Sequence, residues 1–224
     1  MSNKWRSRYD LPVIAKLNLN VDIVRLKQEV SEYVNGKYWD SFGNEYYELC
    51  KSYDIMCGPD WNNVPYKQIG LTEFDNEFDL TKRNKKSGTV WDSRISRKNP
   101  TLDERWYRKL KLDVPPYLKE VLQLFDNSHR TRFSELAPMS TVKPHIDHDT
   151  TYSIRLHIAI TTNEKCFNGG WTKDNEQISA HIPDDGSVWF VNSGVMHYAE
   201  NMGSTPRNHL IIGVDSQDIL DKYL

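Results

Sequence analysis

Cysteine is scarce in this chain: three residues, Cys50, Cys57 and Cys166, stand among 224 positions, with no Cys-x-x-Cys pair. An odd, widely spaced set excludes a disulfide framework and a zinc ribbon, and it points to a reducing cytoplasm. Long apolar runs are missing too. No stretch approaches the roughly 20 residues of a membrane span, and the first ten positions are polar and charged, so neither a membrane helix nor an export signal is expected. An excess of one charge is also lacking. With 29 Lys plus Arg against 31 Asp plus Glu, no bulk field draws the protein to nucleic acid. Internal repeats and low-complexity tracts are absent.

Aromatic residues, by contrast, are plentiful. Seven Trp and an aromatic content of 12% bring enough apolar area to build a core, which argues against disorder. The length suits one domain over residues 1–224. Within it, 1–128 reads as a mixed helical and irregular support and substrate region, 129–215 as a catalytic β core, and 216–224 as a tail. Ile23, Leu26, Val30 and Val34 recur at helical spacing, with Asn20 as the expected cap and Asn35-Gly36 as the stop. Pro115-Pro116 opens a second short helix with Leu118, Val121, Leu122 and Phe125 on one face. Between Lys37 and Asp113, Trp39, Trp61, Trp91 and Trp106 are scattered among turn residues and charge. The cluster from Thr81 to Gly88 reads as an exposed loop.

From about residue 129 the period becomes two. In Ser153 to Thr161 the residues Ile154, Leu156, Ile158 and Ile160 point one way, and Arg155, His157, Ala159 and Thr161 the other. Arg207 to Asp215 repeats the pattern, with Leu210, Ile212 and Val214 opposite Arg207, His209, Ile211 and Gly213. Ser187 to Val191 is a third apolar strand. Asn168-Gly169-Gly170, Asp184-Asp185-Gly186 and Asn192-Ser193-Gly194 carry turn chemistry between strands. Short strands at such spacing define a sandwich or barrel.

His145-Ile146-Asp147 projects an imidazole and a carboxylate to one side of an extended chain, where both can share a metal ion. A His-x-Asp pair alone is common; position gives it weight. His197 follows a turn after an apolar strand and completes a two-histidine, one-carboxylate set, which leaves the open positions that an iron(II) oxygenase needs for an oxo-acid and dioxygen. Ten residues further on, Arg207 starts the last strong strand, facing inward, where a guanidinium can grip a carboxylate through two parallel hydrogen bonds. His148 faces away from this set and Asp149 lacks the two-residue relation to His145. His129, His181 and His209 read as surface or hydrogen-bonded residues, with His209 sharing Arg207's face.

Together, Arg132-Phe133-Ser134-Glu135-Leu136-Ala137-Pro138, Pro144-His145-Ile146-Asp147, Arg155-Leu156-His157, His197 and Arg207 resemble the aspartyl/asparaginyl β-hydroxylase family, whose pattern bacterial proline hydroxylases share. The match covers about residues 130 to 215. It implies a mainly β fold with flanking helices, a double-stranded β-helix or cupin-like jelly roll, with Fe(II) near its open end. His145 and His197 match the metal-binding histidines. Arg207 matches the residue that salt-bridges the distal carboxylate of 2-oxoglutarate, Ser134 a serine helping there, and Arg155 and His157 residues at the metal-proximal end of that co-substrate. Where animal members carry glycine, this chain has Asp147, which sides with the three-ligand bacterial hydroxylases. The implied reaction consumes O2 and 2-oxoglutarate and hydroxylates an amino acid, either free or as a Pro, Asp or Asn residue in a peptide.

Two other readings compete with it. A cupin-type metalloenzyme without 2-oxoglutarate needs a different ligand set, and a non-catalytic barrel that binds peptide or an anion ordinarily loses at least one ligand. A local patch of Arg94, Arg97, Lys98, Arg105, Arg108, Lys109 and Lys111, with Trp106 and Tyr107 interleaved, suits nucleic acid or an acidic substrate. Asp103, Glu104 and Asp113 dilute it, so a solvated face is the expectation there. Trp91, Arg94 and Trp106 are further candidates for substrate contact.

Overall fold

The computed structural model describes residues 5–37, 66–77 and 103–224. Cys50, Cys57, Trp39, Trp61, Trp91, Arg94, Arg97, Lys98 and the Thr81 to Gly88 cluster lie outside these residues. Two antiparallel sheets form a jelly roll. The larger contains β1 (Ile14–Asn20), β2 (Tyr66–Gly70), β5 (Ser128–Leu136), β7 (Ile154–Thr161), β10 (Ser187–Val191) and β12 (Arg207–Val214), in the order β1-β10-β7-β12-β5-β2. The smaller contains β6 (Ser140–His145), β8 (Cys166–Trp171), β9 (Gln177–Ala180) and β11 (His197–Asn201), in the order β6-β11-β8-β9. A short pair, β3 (Thr72–Glu73) and β4 (Lys109–Leu110), stands apart.

The alternation in β7 and β12 separates two environments. Ile154, Leu156, Ile158, Ile160, Leu210, Ile212 and Val214 join one apolar core with Leu26, Val30 and Tyr33 of α1 (Ile23–Val34) and Leu118, Val121 and Leu122 of α2 (Pro116–Gln123). Each fully buried side chain of this kind contributes about 1.5–3 kcal/mol. The helices thus cover one face of the larger sheet. Its other face, toward the smaller sheet, carries Arg155, His157, Arg207 and His209, all buried. The core that holds the fold is therefore spatially separate from the residues available for chemistry.

Three expectations change. Asp22, not Asn20, caps α1: its carboxylate accepts from the Val24 and Arg25 amides at 3.1 Å, while Asn20 pairs with Ser187 inside β1. Asn168-Gly169-Gly170 is not a turn but part of β8. A Cβ on Gly170 would sit 2.6 Å from the Met196 carbonyl oxygen, and one on Gly169 2.8 Å from the Tyr198 ring, so these glycines permit close approach of β8 to β11. The N-terminal region, read as helical and irregular, also supplies β1 and β2, the two edges of the larger sheet. Residues 216–224 include α3 (Asp218–Tyr223). Among the described residues no helix is long and apolar enough to cross a membrane.

Candidate metal centre

Three strand ends build the site. His145 closes β6, His197 opens β11, and the two are direct cross-strand partners. Their rings lie 4.3 Å apart. Asp147, two residues past β6, is anchored by its amide to the Ser193 carbonyl at 2.9 Å. Its carboxylate lies 3.4 Å from His145 Nε2 and 3.9 Å from His197 Nε2. All three ligand atoms fall within 4.8 Å of one another. The Nδ1 atoms of His145 and His197 meet the Lys143 and Val195 carbonyls at 2.8 and 3.1 Å. A carbonyl only accepts, so Nδ1 carries the proton in the neutral ring and the Nε2 lone pair is left for a metal. Donor set and tautomers fit an octahedral iron(II) with an open face.

Without a metal, the three groups share charge among themselves. Burial opposes charge on His145, but Asp147 outweighs it and lifts the imidazole to about 9. Burial also works against ionisation of Asp147, yet the flanking histidines hold it well below the ordinary carboxylate range. His197, more deeply enclosed, is pushed down to about 4 despite Asp147. His148 turns away, as expected, to lie 3.4 Å from Glu104, and Asp149 pairs with Arg8 at 2.7 Å. Neither belongs to the group formed by His145, Asp147 and His197.

Arg207 is 5% exposed. Its Nε and Nη2 lie 3.1 and 3.2 Å from ring nitrogens of His209, and Nη1 is buried without a partner. No carboxylate among the described residues pairs with it, and burial pushes it down to about 10. Burying a cation without a carboxylate beside it is costly. Ser134 faces the same side, directly across from His209 in the β5–β12 ladder. His157 touches His209 through Nδ1 atoms 3.3 Å apart.

Arg155 is placed differently from a free co-substrate contact. Its Nη2 is held by Glu104, and its Nη1 donates to Ser153 Oγ at 2.8 Å, leaving only Nε buried and unpartnered. Glu104, fully buried, also takes Arg130 at 2.7 Å. Two members of the basic patch, Arg105 and Arg108, are held by carboxylates as well. Arg105 pairs with Asp103 at 2.7 Å and Arg108 with Asp215 at 2.9 Å, while Tyr107 is buried and Trp106 stacks on Phe74. Arg105 and Arg108 are thus tied into the fold, while Lys109 is exposed and Lys111 half-buried.

His129 is held by Ser153 Oγ at 2.9 Å. Burial, above all, pushes His129, His157 and His209 well below 6.5, with neighbouring arginines adding to it. Below pH ~6.5 the unfolded chain binds protons at these positions that the folded chain refuses, so stability falls as pH falls. Glu104, itself well below its usual range, adds a further loss once pH drops through the ordinary carboxylate range near ~4.3. The urea midpoint is expected to decline steadily from pH 7 to pH 5; a flat midpoint contradicts neutral burial of these histidines.

A jelly roll with two histidines and an aspartate at its rim, and a buried guanidinium within, presents a candidate metal site on a barrel fold. A family model described as aspartyl/asparaginyl beta-hydroxylase matches residues 23–216, and the chain belongs to that family. An L-proline cis-4-hydroxylase of Rhizobium meliloti (strain 1021) is 27% identical over 115 residues, which cover 49% of this chain and 39% of that protein. The alignment thus spans well under two thirds of the relative. Among solved structures, a Pseudomonas putida prolyl-4-hydroxylase aligns with a TM-score of 0.44 at 7% identity, over 89% of this chain and 90% of that one. A deletion mutant of Bacillus subtilis oxalate decarboxylase aligns with a TM-score of 0.31 at 19% identity, over 39% and 22%.

Proposed function

We propose that this chain is one domain, residues 1–224, of an iron(II)- and 2-oxoglutarate-dependent dioxygenase. It hydroxylates an amino acid, with Pro, Asp or Asn, free or in a peptide, as candidate substrates, and releases succinate and CO2. The observation that carries this reading is the convergence of His145, Asp147 and His197 beside a buried arginine that no described carboxylate neutralises. The free thiol of buried Cys166 accords with a cytoplasmic site of action.

His145 Nε2, a carboxylate oxygen of Asp147 and His197 Nε2 would hold the metal. Bound iron(II) supplies dioxygen activation and the oxidation of a C–H bond to an alcohol. Arg207 binds the distal carboxylate of 2-oxoglutarate through Nη1, with Ser134 on the adjacent strand assisting. His157, kept neutral, lines the metal-proximal end as a hydrogen-bonding group that adds no charge, and the Nε of Arg155 is the atom left for that end. Enclosure by the two sheets keeps water from these contacts and strengthens each of them.

Arg207→Ala is expected to raise the 2-oxoglutarate requirement by about 1.5–3 kcal/mol, roughly ten- to a hundredfold. The reading itself is tested by mass spectrometry of purified protein with iron(II), 2-oxoglutarate and pooled amino acids and peptides. Succinate together with a gain of one oxygen on one component supports it. An absence of succinate across the whole panel overturns it.

A further inference from the structure

A second buried guanidinium shares the interior face. Arg132, on β5, is 8% exposed, and Phe133 beside it points into the apolar core, so Arg132 and Ser134 face the metal side. Its Nη1 donates to the Arg130 carbonyl at 3.0 Å, and its Nε is buried without a partner. No carboxylate among the described residues pairs with it. Burial, then Arg130 and Arg155, push it down to about 9 against the pull of the more distant Glu104 and Asp147 carboxylates, and its charge also bears on His157.

Arg132 and Arg207 occupy separate places along the sheet. In the β5–β12 ladder Arg207 pairs with Leu136, His209 with Ser134 and Ile211 with Arg132. Four residues of strand separate the two positions, roughly 14 Å at about 3.4 Å per residue. The carboxylates of a five-carbon diacid are only about 5 Å apart, from C–C bonds of about 1.5 Å. With one end of 2-oxoglutarate at Arg207 and the other at the metal, Arg132 is left for a different anion.

One strand further out, Gln68 supplies a complementary group. Ile69 lies in the apolar core, so Gln68 faces the interior; it is 5% exposed, and its amide oxygen is buried without a donor. Gln68 pairs with Ser134 and Gly70 with Arg132. Gln68 is therefore the diagonal neighbour of Arg132, within reach of one small molecule. A guanidinium with no carboxylate paired to it and an amide oxygen with no donor thus lie on neighbouring strands.

We infer that Arg132 and Gln68 form the substrate subsite, Arg132 binding a free carboxylate and Gln68 accepting from the adjacent ammonium or imino group. The substrate is then a free α-amino acid rather than a residue inside a peptide. This deepens the oxygenase reading and rests on it.

The test compares hydroxylation of free amino acids, their C-terminal amides and peptides carrying the same residue internally, with succinate followed in each arm. Free acids are expected to gain oxygen while amides and internal residues do not, a comparison that needs no variant. Arg132→Ala should raise KM for the accepted acid on the order of ten- to a hundredfold, from loss of a charged hydrogen bond. Its 2-oxoglutarate affinity should be unchanged, and Arg132→Lys, which keeps the charge without the fork, should fall between. Equal turnover of amides or internal residues overturns the inference, as does an Arg132 variant that loses 2-oxoglutarate instead of substrate. Absence of succinate in every arm overturns the oxygenase reading, and this inference with it.

Discussion

His197→Ala is expected to abolish tight iron(II) binding while leaving the fold in place, and His145→Ala to do the same. The two side chains are direct partners across β6 and β11, with Asp147 between them. Losing either leaves two ligands where three converge. Removing even an outer partner of a metal ligand typically costs 10- to 100-fold in affinity, so loss of a ligand exceeds that. Stability follows a different set of residues. The apolar core lies between the larger sheet and the helices α1 and α2, on the far side of the sheet from the ligands. Metal content after gel filtration and the circular dichroism melting curve check both halves. Full iron loading of either variant, or its unfolding at room temperature, contradicts the assignment.

Glu104→Gln is expected to destabilise the fold by about 3–5 kcal/mol, the cost of removing one partner from a buried ionic cluster. The carboxylate is fully buried and holds Arg155, Arg130 and His148. Glutamine keeps the shape but removes the negative charge that Arg155 and Arg130 face, and the Arg155 guanidinium is buried. That is a large share of the 5–15 kcal/mol that holds a typical domain. His148 directly follows Asp147, so iron affinity should fall too. The exposed pair Arg25–Glu120, 3.2 Å apart, provides the contrast: Glu120→Gln should change stability by less than about 1 kcal/mol. Equal urea midpoints for the two variants would refute a structural role for Glu104.

The strands that carry the site were legible because their chemistry is written at period two. In β7 every second residue is aliphatic and the intervening ones are Arg, His, Ala and Thr, and β12 follows the same pattern except at Asn208 and Ile211, so the faces and inward groups follow from alternation. The His-x-Asp pair, His197 and Arg207 gained meaning from their places relative to those strands. Other elements lacked such a pattern. β2, Tyr-Lys-Gln-Ile-Gly, has a single core aliphatic, Ile69, and β8 contains Gly-Gly, whose composition signals a turn although its role is to admit Tyr198 and the Met196 carbonyl. Asn20 has the chemistry of a cap, but strand pairing claims it and leaves Asp22 to do the work.

Glu104 and Gln68 left no local signal. Glu104 sits in a mixed charge run, and its arginine partners lie 26 and 51 residues away. Only the folded sheet brings them together. Arg132 was visible as part of a motif but carried no assigned role, because the lack of a partner for a charge is a property of three dimensions.

Anaerobic titration of 2-oxoglutarate into the iron(II)-loaded protein, followed by visible absorption, bears most directly on the site. The expected result is a chelate band that requires both iron and 2-oxoglutarate, disappears in His197→Ala, and needs a markedly higher 2-oxoglutarate concentration in Arg207→Ala. A band unaffected by either substitution, or none in the intact protein, would contradict the convergence of His145, Asp147, His197 and Arg207 on one iron and its co-substrate.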